Sequence, residues 1–299
     1  MLWMLAFALA APAPAGRYLV ATEVLLPSAK WFNDRAGSFG FETRSWQLRA
    51  TLRCTSAPGK GQRIASRCTV EDARLQASSF QRSPDDDPAE AEAVLGELAE
   101  RLRGYGIEAE LTADGRVKRW DSVARPQGSS RETDTGWLLE ILAERAVAGL
   151  WLESPPPPYA VGQQFVEYDK NPLYVFPRID GSFPQGTAQV LHQVSGVGDP
   201  IVVDSMVEGS TVVVGEQLRV RGRSREWLDA HGRLVRRTWS VDADLQDVTK
   251  YHHAGWVAAI DEAVKVDLGA NRQVRAPGDG PEKDLPGLEG WPGLGEPPR

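Results

Sequence analysis

Residues 110–120 read ELTADGRVKRW, and residues 227–237 read WLDAHGRLVRR. Aligned on their glycines, Gly115 and Gly232, both place a leucine before the turn and an arginine and an aliphatic residue after it. Asp-Gly is a strong signal for a two-residue β-hairpin turn, because a type I′ turn needs positive φ at both positions. Histidine tolerates positive φ better than most residues, so His231 can take the place of the aspartate. We predict that the two stretches are hairpin turns in two related β-rich halves. The alternative is that a sequence favourable for hairpins occurs twice by chance.

Alternation of apolar and polar residues extends this β pattern over much of the chain, and glycines and prolines interrupt it at short spacing. The predicted fold class is mainly β with α+β character: a twisted antiparallel sheet or open barrel, in two related halves, with one or two helices on its concave face. The predicted organisation is a signal peptide at 1–15, a first half at 16–153 with two helices, a proline-rich connector at 154–158, a second half at 159–275 and a disordered Pro/Gly-rich tail at 276–299.

Two stretches of the first half have the pattern of helices. In the first, Pro88 fits the first helical position and Gly104 ends the run. The second, at 133–152, has too many apolar residues for a surface helix with a narrow stripe, so we expect a sheet to cover it. Its tryptophans, Trp137 and Trp151, are candidate ligand contacts, and ordinary core packing is the alternative.

The first residues, MLWMLAFALAAPAPAG, read as a secretory signal peptide cleaved before Gly16. An apolar run is followed by small residues, and Ala13 and Ala15 form an A-x-A cleavage pattern. No Lys or Arg precedes the apolar run, and a buried N-terminal strand or helix is the alternative interpretation. The signal peptide predicts an exported protein, either periplasmic or extracellular.

The two cysteines of the chain, Cys54 and Cys68, are predicted to form a disulfide. Each has the same parity as the apolar residues of its own predicted strand, and a turn-rich stretch separates the two strands. Paired antiparallel, the strands would point both sulfurs to the apolar side. A redox-active dithiol is the alternative, although such sites favour closer spacing.

Charge and hydropathy limit the classes of partner. The net charge of −7 argues against nucleic acid as the main partner. No segment after the leader approaches about 18 consecutive apolar residues, so we expect no integral membrane span in the mature chain.

Most enzyme motifs are absent from the sequence, and we expect no cofactor and no metal site. His252 and His253 resemble a metal-binding pair, but adjacent residues of a strand point to opposite faces and do not chelate one ion together. His192 shares the parity of apolar neighbours, which favours a packed, hydrogen-bonded histidine over a catalytic base. An active site assembled from distant strands stays open.

A basic stripe stands out in the second half. Arg219, Arg221, Arg223 and Arg225 alternate along one predicted strand, so their guanidinium groups share a face. The functional interpretation is capture of an anionic group such as a lipid headgroup or an acidic peptide. The alternative is a solvated outer face whose arginines pair with Glu and Asp of neighbouring strands.

The order of these elements resembles bacterial exported proteins of unknown function in which an antiparallel sheet wraps a helix. The features that carry the resemblance are the DGRV hairpin, the helix TDTGWLLEIL, the proline step before VGQQF, and the strands that end in HGRL. The general plan is also similar to periplasmic lipoprotein and lipid carriers with an open barrel over a helix. The resemblance implies a fold and favours binding, and it assigns no functional residue.

We therefore expect a non-enzymatic exported binding protein whose ligand is lipidic or an anionic amphiphile, held between sheet and helix near Trp137 and Trp151. The expected partner is a lipid, an anionic amphiphile or an envelope protein. One alternative is a structural or protein-interaction module of the cell envelope, acting through exposed sheet edges or the tail. A further alternative is a hydrolase with a non-local active site.

Overall fold

A computed structural model describes residues 13–25, 45–59, 63–77, 88–112, 117–124, 142–147, 149–150, 158–169, 185–213, 216–245, 248–263, 265–266 and 268. These residues form eleven strands and a long helix: β1 Gly16–Leu25, β2 Ser45–Pro58, β3 Ile64–Ala77, α1 Pro88–Leu102, β4 Gly106–Leu111, β5 Val117–Ala124, β6 Gln164–Asp169, β7 Gln185–Val197, β8 Ile201–Val213, β9 Glu216–Leu228, β10 Leu234–Leu245 and β11 Val248–Ile260. A second helical segment covers residues 142–147.

All eleven strands belong to one open antiparallel sheet with the order β5-β4-β3-β2-β1-β11-β10-β9-β8-β7-β6. Every neighbouring pair is consecutive in the chain except β1 and β11, which pair from Arg17↔Ile260 to Leu25↔His252. The sheet is therefore an up-and-down meander whose first and last strands lie side by side at its centre. This confirms the predicted fold class, a mainly β, antiparallel open sheet.

The two edge strands, β5 and β6, run in the same direction. Ten antiparallel pairings separate them along the sheet, and an even number of reversals restores the original direction. Ala124 ends β5 and Gln164 begins β6, so the chain between them connects opposite ends of two parallel strands that lie at opposite edges of the sheet. We call residues 125–163 the crossover.

The described residues of the crossover at 142–147 and 149–150 are buried against one face of the sheet, which we call the inner face. All the residues of its helical segment, 142–147, are buried, and so is Leu150. The contact is close at Gly149, where an added Cβ would lie 2.4 Å from the Trp239 ring of β10. A helix that is buried on every side fits the apolar composition of this stretch, so the expectation that a sheet covers it is confirmed for the described residues.

The first helix, α1, has the ends that the sequence predicts. It starts at Pro88, whose missing N–H removes no intrahelical bond, and Gly104 follows its end with a φ of 82°. Leu98, Ala99 and Leu102 are its buried face and join the core that includes Val70 of β3.

The two repeated stretches, 110–120 and 227–237, each connect two neighbouring strands, and the residues that pair across the turn have the same spacing in both. Leu111 pairs with Val117 between β4 and β5, and Leu228 pairs with Leu234 between β9 and β10. The two leucines and the two aliphatic residues are the aligned positions of the repeat, so the prediction of two hairpin connections is confirmed. The first tip, at 113–116, lies outside the described residues.

The described tip has a three-residue loop, so the expectation of a two-residue type I′ turn is wrong there. Asp229 N–H donates to the Arg233 carbonyl and Gly232 N–H donates to the Asp229 carbonyl, each at 2.9 Å, and the φ of Gly232 is 76°. This is a type I turn followed by a left-handed glycine. The Asp229 carboxylate stabilises the wider turn, because it accepts the N–H groups of His231 and Arg233 at 2.8 and 3.0 Å.

Cys54 and Cys68 form the predicted disulfide. The two residues lie directly opposite each other on β2 and β3, and both side chains are buried in the inner-face core. Both predictions are therefore confirmed: the disulfide forms, and both sulfurs lie on the apolar side of the sheet.

The domain boundaries drawn from the sequence stay predictions. Residues 1–12 of the leader, 154–157 of the connector and the tail at 276–299 lie outside the described residues. The sheet itself is continuous through both predicted halves, which meet where β1 pairs with β11.

Candidate functional site: a buried polar row under the crossover

Polar side chains form a line across the inner face. His192, Ser205, Ser224 and Trp239 lie at successive positions of β7, β8, β9 and β10, each the cross-strand partner of the next. The line continues through Gly255 of β11 to Thr22 of β1. None of the five side chains is more than 3% exposed. We call His192, Ser205, Ser224, Trp239 and Thr22 the polar row.

The first pair of the polar row is a histidine and a serine in hydrogen-bond contact. His192 Nδ1 lies 2.8 Å from Ser205 Oγ, as the expectation of a packed, hydrogen-bonded His192 required. A nucleophilic serine also needs two N–H groups aimed at an oxyanion. The backbone of Ser205 is in the middle of β8 and pairs with β7 and β9, so it is committed to the sheet. The Ser205 N–H is therefore not available as an oxyanion donor.

Trp239 is the contact between the sheet and the crossover. Its indole occupies the space above Gly255, where an added Cβ would lie 2.5 Å from the ring and 2.6 Å from the Ala21 carbonyl oxygen. On its other side the ring touches Gly149 of the crossover. Two positions without a side chain therefore admit one large aromatic ring at the centre of the inner face.

A hydrogen-bonded cluster fixes the orientation of that indole. Trp239 Nε1 donates to His253 Nε2 at 3.2 Å, and Thr22 Oγ1 lies 2.8 Å from the same nitrogen. Because an indole N–H can only donate, Nε2 of His253 is the acceptor of the Trp239 hydrogen bond. All three side chains are buried.

An ion pair lies immediately beside the polar row. Glu226 of β9 and Arg237 of β10 are cross-strand partners, and Arg237 Nε lies 3.8 Å from Glu226 Oε1. Their side chains are 0% and 1% exposed, and the Arg237 guanidinium also lies 5.7 Å from the centroid of the Trp239 ring. Burial of two charges costs several kcal/mol per ion, so a purely structural core gains little from such a pair.

The crossover contributes two more buried charges. Glu144 and Arg145 belong to the helical segment at 142–147 and are 7% and 2% exposed. Buried polar side chains are therefore present both on the inner face of the sheet and on the described part of the crossover.

The predicted arginine stripe lies on the opposite face, which we call the outer face. Arg225 is opposite Thr238 of β10, whereas the neighbouring Ser224 is opposite Trp239, and alternate residues of a strand share a face. Arg219 pairs with Glu208 at 2.6 Å, Arg225 with Asp204 at 2.5 Å, and Arg221 with Asp244. Three of the four arginines therefore bind carboxylates of neighbouring strands, as the alternative interpretation described.

Arg223 is the remaining arginine of the stripe. It is exposed and lies between Met206 of β8 and Ser240 of β10. Anion binding by the stripe stays a prediction, and Arg223 is its best remaining candidate.

The other predicted ligand contacts, Trp137 and Trp151, lie outside the described residues. His252 and His253 point to opposite faces of β11: His253 contacts Trp239, while His252 Nδ1 lies 2.7 Å from Asp242 Oδ1. Within the part of the chain that the structure describes, no three His, Cys, Asp or Glu side chains are grouped as metal ligands.

Sequence reasoning missed the Glu226–Arg237 pair and the role of Trp239. A signal was available: Glu226 has the same parity as Val220 and Leu228, and Arg237 has the same parity as Trp239. A charged residue at an apolar-parity position of a strand is the pattern that would have identified them.

Comparisons with known proteins give no family for the chain. No family model matches it, and no curated protein matches it. Among solved structures, a Bacteroides fragilis protein inferred to be exported, with a YmcC-like fold, is 9% identical at a TM-score of 0.24, covering 83% of this chain and 95% of that one. A Thermobifida fusca protein inferred to be a thioesterase II is 11% identical at a TM-score of 0.11, covering 81% and 79%. At TM-scores this low, neither likeness bears on fold or function.

None of the described helices combines the length and the apolar character that a membrane-spanning helix needs.

Proposed function

We propose that this protein is an exported, non-enzymatic binding protein that holds an amphiphile between the inner face of its sheet and the crossover. The observation that carries the proposal is the buried polar row under the crossover, with the Glu226–Arg237 pair beside it. Apolar side chains at these positions would stabilise a simple core at lower cost. Buried polar groups that converge inside an apolar surround are typical of ligand sites.

The topology supports a crossover that can separate from the sheet. The crossover is joined to the sheet at edge strands β5 and β6, each of which has one neighbour in the sheet order. Displacing it would uncover the inner face without breaking any of the ten strand pairings. The polar row is buried in the present conformation, so a ligand would reach it only after that displacement.

Two observations support export. Strand β1 begins at Gly16, the residue that cleavage of the predicted leader would make the N-terminus. The Cys54–Cys68 disulfide fits an oxidising compartment such as the periplasm or the extracellular medium.

The test is native mass spectrometry of protein secreted with its own leader and purified without detergent from the periplasm of a Gram-negative host. We expect a chain that begins at Gly16, contains one disulfide and carries a bound lipid that collisional activation releases. Ser224→Ala should lower the occupied fraction at least threefold. Ser210→Ala, on the outer face of neighbouring β8, is the matched control and should leave it unchanged. A ligand-free wild-type chain that also binds no added amphiphile would overturn the proposal.

A second candidate is a protein-interaction module, and one observation favours it. Val166, Leu191 and Met206 are aligned across β6, β7 and β8 on the outer face, and the row ends at Arg223. Val166 and Met206 are 52% and 55% exposed. Met206→Ser would abolish partner binding if this row is the functional surface, and it would not affect amphiphile binding at the inner face.

A further inference from the structure

A second line of side chains crosses the sheet on the outer face, on the other side from the polar row. Val166, Leu191 and Met206 are cross-strand partners on β6, β7 and β8, and we call them the apolar row. Val166 and Met206 are 52% and 55% exposed. The line continues through Arg223 of β9 to Ser240 of β10. Because neighbouring strands lie about 4.8 Å apart, it extends about 14 Å from Val166 to Arg223.

Ion pairs border this line on both sides. On one side Asp204 pairs with Arg225 at 2.5 Å, and on the other Glu208 pairs with Arg219 at 2.6 Å. Met206 lies between the two acids along β8. Protein interfaces commonly have an apolar centre surrounded by polar groups, and methionine and arginine are enriched in them.

Arg223 is the cation of this line that an external anion would meet. Among the described residues, no carboxylate pairs with Arg223, whereas each of the other three arginines of the stripe has one. The acids on the adjoining strands are already engaged: Asp204 with Arg225, Glu208 with Arg219, Asp242 with His252 and Asp244 with Arg221.

A buried hydroxyl beside Arg223 also has an unused hydrogen-bonding group. Ser240 lies directly opposite Arg223 and is 6% exposed, and its Oγ has no hydrogen-bond partner among the described residues. Thr238, the preceding outer-face residue of β10, is 4% exposed and its Oγ1 is equally unpaired within the described chain. Leaving a buried hydroxyl unpaired costs free energy. A carboxylate has about four lone-pair positions, so one bound by the Arg223 guanidinium can also accept the Ser240 hydroxyl.

We infer that this surface docks a partner protein that presents an Asp or Glu side chain next to apolar side chains. The apolar side chains contact the apolar row, and the carboxylate binds Arg223 and Ser240. The inference rests on the second candidate function, a protein-interaction module, and is independent of amphiphile binding at the inner face. A protein fits better than an anionic membrane, because Asp204 and Glu208 on either side of Met206 would approach the lipid phosphates.

The test selects phage-displayed random twelve-residue peptides on the purified, oxidised protein and measures the affinities of the enriched peptides by fluorescence polarisation. We expect these peptides to carry Asp or Glu beside apolar residues, and Arg223→Gln to weaken their binding at least tenfold. Arg119→Gln, the same change on β5 at the far edge of the sheet, is the matched control and should leave the affinity unchanged. Peptides weakened by Met206→Ser but not by Arg223→Gln would overturn the inferred partner chemistry and keep the interaction module. If no enriched peptide is weakened by either variant, the module is overturned as well.

Two further measurements identify the contacts. Ser240→Ala should weaken peptide binding at least threefold while its Tm stays at or above that of wild type, because the change removes an unpaired buried hydroxyl. Unchanged affinity would overturn the role of Ser240. Replacing the acidic residue of the peptide by its amide should weaken binding to wild type tenfold and cause no further loss in Arg223→Gln.

Phosphatidylglycerol vesicles test the other source of an anion. We expect the protein to show no vesicle binding that depends on Arg223. Sedimentation with vesicles that is lost in Arg223→Gln, in a protein that enriches no peptide, would assign the surface to lipid headgroups and overturn the protein partner.

Discussion

Trp239 shows how one large side chain determines where glycine is needed. Its ring lies between Gly149 of the crossover and Gly255 of β11, both of which are positions where a Cβ would overlap the indole. The ring cannot move away without losing its hydrogen bond to His253. Glycine is required at these two positions by close approach, since neither has a positive φ.

We expect Gly255→Ala to lower the free energy of unfolding by about 2–3 kcal/mol and Gly149→Ala by about 1–2 kcal/mol, because overpacking a rigid site costs this much. Gly255→Ala is the costlier change, since its Cβ also meets the fixed Ala21 carbonyl oxygen. Urea denaturation followed by tryptophan fluorescence measures both values. The control is Gly96→Ala in α1, which has open space around it and should gain about 0.5–1 kcal/mol from helix propensity. Wild-type stability in Gly255→Ala would contradict the packing of Trp239.

Glu71 is the acid at the centre of an outer-face ion cluster. It accepts hydrogen bonds from Arg17 at 2.7 Å and from Arg53 at 2.5 Å, and both arginines also contact Glu262 after β11. Partial burial by itself raises the pKa of Glu71, but the hydrogen bonds and charges of the two arginines together bring that pKa below its ordinary value of 4.5. Since the folded state binds the proton less tightly than the unfolded chain, the stabilisation is present above pH 4.5 and is lost as the pH falls below it.

For Glu71→Gln we expect a loss of about 1 kcal/mol in the free energy of unfolding at pH 7, and a shallower decrease than wild type between pH 5 and pH 3. Denaturant titrations at half-unit pH intervals measure both. Glu92→Gln removes an exposed carboxylate 4.0 Å from Arg74 and serves as the control with wild-type behaviour. Parallel pH profiles for Glu71→Gln and wild type would exclude a role for this cluster in acid sensitivity.

The strands and hairpins of this protein show which structural features a local sequence pattern can predict and which it cannot. Alternation predicted the strands, and parity placed Cys54 opposite Cys68 on the buried side. Parity also predicted that the four arginines share a face. It could not predict the carboxylates that pair with them, because those belong to β8 and β10 and are fixed by register between strands. The candidate site was missed for the same reason, since the polar row exists only across strands.

We expect the β2–β3 disulfide to contribute about 3 kcal/mol to the free energy of unfolding, since it closes a loop of about 15 residues in the unfolded chain. Both sulfurs are buried, so dithiothreitol should leave the native near-ultraviolet circular dichroism unchanged for hours. Comparing oxidised with reduced wild type in urea keeps every side chain the same and isolates the cross-link. Equal denaturation midpoints for the two forms would show that the bond adds no stability.

The whole molecule depends on a pairing for which the sequence offers no local signal. Strands β1 and β11 are neighbours although Arg17 and Ile260 lie at opposite ends of the described chain. If the strands are written in chain order as a closed cycle in which β1 follows β11, the sheet order is that cycle opened between β5 and β6. The crossover is therefore the only connection in the described sheet that does not link neighbouring strands.

This geometry predicts that the chain tolerates new termini at the end of the crossover. In a circular permutant that runs from Pro158 to Leu268, continues through a flexible linker of about ten residues and then runs from Gly16 to Pro157, β11 and β1 become an ordinary hairpin. Every strand is then next to its neighbour in both sequence and space, and closely spaced ends favour such rearrangements. We expect a native circular dichroism spectrum, an intact Cys54–Cys68 bond and a Tm within about 4 °C of wild type, which corresponds to a change of roughly 1 kcal/mol. Introducing Gly255→Ala into the permutant should destabilise it by the same amount as in wild type, because Trp239 keeps its place under the crossover. A permutant that is oxidised and soluble but lacks the native near-ultraviolet signal would contradict this prediction. It would show that the strands still pair, but that the crossover must be attached to both edge strands in order to pack on the inner face.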